Sequence, residues 1–185
     1  SNPQALSEAR SVVNSFREIG VDYVLTVFDN SGPTPNFYRF LLEWLIEDPK
    51  LGLMIKSKDA KTWSNLTQYN NSFDDSLDQI MQLALNTRRI HLMSPYASPG
   101  DVALVSDFTL GVGTTSATAV AALQGARVFY LDYERLDHGP QSPYSIFHSL
   151  GLDRCVFYDL RALRQAIINY SINPKNNPHL GDASP

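Results

Sequence analysis

Six short apolar runs, separated by segments of helical periodicity, constrain the fold of this 185-residue chain more than any other feature. The runs are apolar at nearly every position instead of at alternate ones, which predicts strands that are buried on both faces of a sheet. The predicted strands are residues 23–28, 53–56, 90–93, 108–112, 128–131 and 155–158. Strands of this kind that alternate with helices are typical of a parallel sheet covered by helices on both sides.

The segments between the strands carry apolar residues three and four positions apart, as amphipathic helices do. They predict helices at 7–19, 36–46, 74–85 and 160–170, a short helix within 96–105, and an alanine-rich helix that ends at Gly125. Ser7 is a suitable N-cap for the first helix. Right-handed crossovers and the chain length favour a three-layer, doubly wound, Rossmann-like α/β domain, whose six-stranded, mainly parallel sheet has the order 3-2-1-4-5-6.

A single domain accounts for the length of the chain. Residues 22–171 form the predicted Rossmann-like domain, and residues 1–21 form an N-terminal helix and linker. Residues 172–185 are rich in Asn, Pro and Gly, so we expect an irregular C-terminal tail that is poorly packed.

Composition excludes several classes of function. The net charge of -4 without a basic stripe argues against a nucleic-acid partner. No apolar run approaches the length of a membrane span, so no integral membrane segment is expected, while peripheral association with the inner face of a membrane stays open. The four histidines and Cys155 are not spaced as metal ligands, which predicts no metal site. Cys155 lies in an apolar run, and a buried, reduced thiol there is consistent with the cytoplasm.

Residues 106–134 carry the clearest indication of a ligand. A short strand leads into a small-residue turn, and the turn opens the alanine-rich helix. The first N–H groups of a helix lack intrahelical partners and carry a partial positive charge, so they favour an anion. Acidic residues after the next strand are placed to accept hydrogen bonds from a ribose. The predicted phosphate-binding residues are Gly113, Thr114, Thr115 and Ser116, and the acids are Asp132 and Glu134. The alternative is that a glycine turn and a small-residue helix simply pack tightly in an α/β domain.

The predicted strand order makes a second loop part of the same site. Strands one and four become neighbours at the topological switch point, where ligands bind in doubly wound sheets. The loop after strand one contains Ser31 and Gly32, and Lys56 at the end of strand two is a candidate for neutralising a diphosphate. Neither a third glycine at the dinucleotide-binding spacing nor a Walker lysine is present. These residues therefore predict a nucleotide site without the NAD or ATP fingerprints.

The stretch DVALVSDFTLGVGTTSATAVAALQGARVFYLD resembles the corresponding segment of GT-B glycosyltransferases of the surface- and capsule-polysaccharide type. Upstream, GLMIKSKDA is similar to their second-strand segment, and downstream, CVFYDLRALRQAII resembles their last strand and helix. The resemblance covers most of residues 23–170 as a loose pattern, and it is most specific over residues 107–132.

The resemblance implies the C-terminal, donor-binding half of such an enzyme, which would bind a nucleotide-sugar and need no further cofactor. A second Rossmann-like domain, N-terminal in the same protein, would hold the acceptor, so the isolated domain is expected to be inactive. Lys58 stands where the family often has a histidine, and residues 117–124 contain no acid, so the catalytic residues stay unassigned. The alternatives are a non-catalytic Rossmann-like module that binds a nucleotide or a protein partner, and a domain like the sugar-nucleotide epimerases.

Overall fold

The computed structural model describes residues 3–29, 35–57, 75–112, 115–132, 147–150 and 153–184. Its strands are β1 (Tyr23–Asp29), β2 (Leu51–Ser57), β3 (Ile90–Met93), β4 (Phe108–Val112), β5 (Arg127–Leu131) and β6 (Val156–Phe157). Its α-helices are α1 (Pro3–Glu18), α2 (Pro35–Glu47), α3 (Asp75–Asn86), α4 (Pro99–Ala103), α5 (Ser116–Leu123) and α6 (Leu160–Ile172). Two 3-10 turns, His148–Leu150 and Pro174–Asn176, complete the described elements.

The six strands form one sheet in the order β3-β2-β1-β4-β5-β6, and every pair of neighbours is parallel. The predicted order is therefore confirmed, with a sheet that is parallel throughout. β1 lies at the centre, with Phe28 in register with Lys56 of β2 on one side and with Gly111 of β4 on the other. Every residue of β1, β2 and β4 is buried, as strands covered on both faces must be.

Alternate side chains of the strands enter two separate layers of helices. Leu25 and Val27 of β1 pack with α2, α3 and α6 in the largest hydrophobic cluster. Val24 and Met54 point to the other face and pack with α1, and Phe28 packs on that face with α5. The connections that follow β1 and β4 thus lead to opposite faces of the sheet, α2 to one and α5 to the other.

Helix α1 is longer than predicted. It begins at Pro3, so Ser7 lies inside the helix and its predicted role as N-cap is wrong. Ala5, Ala9 and Phe16 are buried against the sheet. A Cβ on Gly52 of β2 would lie 2.6 Å from Cδ2 of Phe16, so the glycine leaves the space into which this ring packs.

The C-terminal tail contains the 3-10 turn Pro174–Asn176, and the expectation that the tail is poorly packed is wrong for its last part. Residues 173–179 are exposed, whereas Leu180 is fully buried in the largest cluster. The backbone of Gly181 accepts a hydrogen bond from the N–H of Val128 at 2.8 Å and donates to the carbonyl of Arg154 at 2.7 Å. Arg154 in turn donates from Nε to the carbonyl of Asp182 at 2.8 Å. The tail is therefore anchored across the amino-terminal ends of β5 and β6.

Replacing Leu180 with Ala should lower the free energy of unfolding by about 2–3 kcal/mol, because a fully buried leucine leaves a cavity. Ile172→Ala is the matched control, since the side chain of Ile172 is 78% exposed. Urea denaturation of both variants measures the difference. Equal midpoints for Leu180→Ala and the parent would show that the tail contributes no packing in solution.

Candidate functional site

The carboxyl-terminal edge of the sheet brings together the described residues that the sequence predicted for the site. Lys56 lies near the end of β2, Thr115 and Ser116 open α5 after β4, and Asp132 follows β5. Ser31, Gly32, Gly113, Thr114 and Glu134 lie outside the described residues. β1 and β4 are neighbours, and their following helices lie on opposite faces, so the topological switch point is where the strand order predicted it.

Thr115 is the N-cap of α5. Its backbone is extended, with φ −131° and ψ 135°, and its Oγ1 accepts a hydrogen bond from the N–H of Ala117 at 3.2 Å. The side chain therefore satisfies one of the N–H groups that a helix leaves without intrahelical partners in its first turn. Ser116, the first helical residue, is exposed. The Thr115 hydroxyl thus has a structural role, and the remaining N–H groups of the first turn, together with the helix dipole, are what the helix start offers to an anion.

Gly111 lets α5 approach the sheet closely. A Cβ at this position would overlap Oγ1 of Thr118 and would lie 2.7 Å from Cγ2 of Thr115. The first turn of the helix is thereby held against the end of β4. Thr118 is buried, and its hydroxyl has no hydrogen-bond partner among the described residues. Thr118 therefore packs directly against Gly111.

Lys56 is buried, and its ammonium group is held by backbone. Nζ donates to the carbonyl of Ser57 at 2.5 Å and to the carbonyl of Pro95 at 3.0 Å. Pro95 follows β3, so this contact draws the side chain to the side of β2 away from β1 and β4. Burial lowers the pKa of Lys56. Two strand spacings, about 10 Å, separate its backbone from Gly111.

Two of the described carboxylates at this edge are buried. Asp132 follows β5, is 1% exposed, and its N–H donates to the carbonyl of Phe157 at 2.8 Å. Asp29 ends β1 in register with Ser57 and is 2% exposed. Burial raises the pKa of Tyr38 on α2, and the adjacent carboxylate of Asp29 raises it further. Asp132 therefore lies inside the protein, so its predicted contact with a ribose requires the carboxylate to become accessible.

Asp29 is a buried acid at the switch point to which the sequence analysis assigned no role. Its only signal is an acid that ends an apolar strand, which is also a common start for a turn. The structure places it at the carboxyl end of the central strand β1, directly at the switch point.

In the described part of the chain, no group of three or more His, Cys, Asp or Glu residues is arranged to hold a metal ion.

Comparison with known proteins assigns no family to the chain, because no family model, curated protein or solved structure matches it. Among the described helices, none combines the length and the apolar character needed to cross a membrane.

Cys155 is free and buried, and burial raises the pKa of its thiol to about 11. The thiol is therefore protonated near neutral pH and is shielded from reagents.

Proposed function

We propose that this domain binds the nucleoside diphosphate of a nucleotide-sugar, as the donor-binding domain of a glycosyltransferase that builds surface polysaccharide. The observation that carries the proposal is the start of α5 at Thr115, directly after β4 at the topological switch point. Helix N-termini at this place in doubly wound sheets are anion sites because unpaired N–H groups and the helix dipole coincide there.

The close packing at Gly111 supports the same proposal. A helix that is held tightly against the strand keeps its N–H groups at a fixed distance from the crevice, which lowers the cost of ordering a ligand. Lys56 lies at the same edge of the sheet, and the two hydrogen-bond acceptors described for its ammonium group are neutral carbonyls. Its long side chain has one ammonium hydrogen beyond those two bonds.

The proposal also includes a second, acceptor-binding domain and a location in the cell. An acceptor-binding domain of the same protein would complete the active site, because transfer requires that donor and acceptor be held together. The buried, free thiol of Cys155 is compatible with the cytoplasm, and the domain would act there or at the inner face of the membrane.

Uridine or cytidine diphosphate should raise the melting temperature, whereas NAD and ATP should have little effect. A ligand at one hundred times its Kd adds about 2.7 kcal/mol, which corresponds to roughly 5–10 °C for a domain of this size. Thermal denaturation with each nucleotide measures the shift. Stabilisation by NAD alone would exclude the glycosyltransferase proposal.

A pair of Thr115 variants tests whether the shift arises at the start of α5. Asn and Asp are both good N-caps, so Thr115→Asn and Thr115→Asp should each preserve the helix. They differ in one negative charge, and only Thr115→Asp should lose the nucleotide shift through repulsion of the phosphate. If both variants respond to nucleotide like the parent, the helix start is a packing feature and not an anion site.

A further inference from the structure

An amide-lined groove lies on the face of α6 near the edge strand β6, away from the switch point. It has a volume of about 670 Å³, and its apolar lining comes from Phe157, Ala162, Ala166, Tyr170 and Ile172. Five side-chain carboxamides also line it, from α6 and from the tail that follows: Gln165, Asn169, Asn173, Asn176 and Asn177. The volume lies within the range of small-molecule sites.

The groove is almost free of charge. Of the described residues that line it, Asp153 alone is charged. A phosphate or a sulfated chain gains no ion pair in such a groove, and a cationic ligand finds a single carboxylate at most. Carboxamides instead offer both donors and acceptors without charge, so they suit a ligand that is itself neutral and polar.

Hydrogen bonds link four of the amides in two pairs. Nε2 of Gln165 donates to Oδ1 of Asn169 at 2.9 Å, and Nδ2 of Asn173 donates to Oδ1 of Asn176 at 3.1 Å. Among the described residues, these pairs leave Oε1 of Gln165 as an acceptor and Nδ2 of Asn169 and of Asn176 as donors. The groove therefore offers a ligand both hydrogen-bond acceptors and donors.

We infer that this groove binds an uncharged oligosaccharide. Sugar hydroxyls donate and accept hydrogen bonds, which matches the mixed amides. The C–H faces of the rings can pack on the accessible apolar residues of the lining, which are Ala162, Ala166 and Ile172. A peptide fits less well, because β6 has only two residues and offers a short edge for strand addition. The inference is independent of the nucleotide site.

Titration of the ¹⁵N-labelled chain with cellohexaose, maltohexaose and chitohexaose tests this inference. At least one of them should shift the side-chain amide resonances of Asn169 and Asn176 in a saturable way at millimolar concentration. Asn169→Ala should weaken binding about five-fold, the effect of one lost neutral hydrogen bond. Ala162→Trp should abolish binding by filling the groove. Arg161→Ala, an exposed neighbour on the same helix outside the groove lining, should bind like the parent.

The three substituted residues, Arg161, Ala162 and Asn169, are exposed, so the variants are expected to keep the melting temperature of the parent. Absence of saturable shifts with all three sugars overturns the inference. It is also overturned if a heparin hexasaccharide or an uncharged hexapeptide shifts these amides and the neutral sugars do not. The thermal shift with nucleoside diphosphates reports only on the proposed nucleotide site. Failure of the nucleotide proposal and failure of the sugar inference are therefore distinguishable.

Discussion

Arg89→Ala should lower the free energy of unfolding by about 3–5 kcal/mol, because it removes a buried charged donor from three backbone carbonyls. Arg89 is 7% exposed. Nη1 donates to the carbonyls of Asp48 at 2.6 Å and Leu51 at 2.7 Å, and Nη2 donates to the carbonyl of Leu45 at 2.7 Å. Each carbonyl would lose its charged partner inside the protein, where water replaces it poorly.

The position of Arg89 adds to the expected effect. Leu45 belongs to the last turn of α2, whose carbonyls lack intrahelical partners and carry partial negative charge. Burial lowers the pKa of Arg89, and the nearby Asp48 and Tyr23 oppose that shift. These two neighbours thus offset part of the cost of burying the cation. The residue ties the end of α2 to the start of β2.

Arg88→Ala is the matched control for Arg89→Ala in urea denaturation. Arg88 is adjacent in sequence but exposed, so its replacement should change the stability by less than about 0.5 kcal/mol. Arg89→Lys should fall between the two, because an ammonium group is a point donor that lacks the planar fork of guanidinium. Equal losses for Arg88→Ala and Arg89→Ala would show that the three carbonyl contacts contribute nothing.

Arg89 illustrates what the sequence does not reveal. In sequence it is half of an isolated basic pair, and nothing local distinguishes it from Arg88. Its acceptors lie 38 to 44 positions earlier in the chain, and only the packing of α2 beside β2 and β3 brings them to the guanidinium. Long-range polar contacts of this kind leave no periodic pattern.

The sheet, by contrast, was predictable because its signal is local. β3 and β4 have the predicted bounds, and the order of all six strands follows from right-handed crossovers and chain length. The beginning of α1 was misassigned because Ser7 resembles a cap, while the burial of Ala5 and Ala9 became visible only with the sheet in place. Leu180 was missed because one apolar residue in a polar tail has no periodicity to reveal its burial.

The candidate site was predictable in part for the same reasons. The alternation of elements placed the start of α5 at the switch point, and the small residues of the turn indicated a helix N-terminus. The burial of Asp132, and the contacts that draw Lys56 towards Pro95, depend on side-chain packing across several strands. Spacing along the chain carries no information on such orientation.

Gly111→Ala should destabilise the domain by about 3 kcal/mol, the upper part of the range for an overpacked core position. The added methyl group would overlap Oγ1 of Thr118 and crowd Cγ2 of Thr115, and both belong to the fixed start of α5. β4 cannot move away, because β1 and β5 pair with it on both sides. Gly100→Ala is the control, since its Cβ would meet Val120 at an ordinary 3.4 Å and alanine favours the helix.

A double variant shows whether the overlap is the cause. Thr118→Ala alone should be nearly neutral, because it removes a buried hydroxyl that has no partner among the described residues. Combined with Gly111→Ala, it should restore more than half of the lost stability, a coupling expected only for side chains in contact. If α5 regains its place in the double variant, the melting shift with uridine or cytidine diphosphate should return with it. Restored stability without a restored nucleotide shift would mean that the close approach of α5 to β4 supports the fold and not a phosphate site.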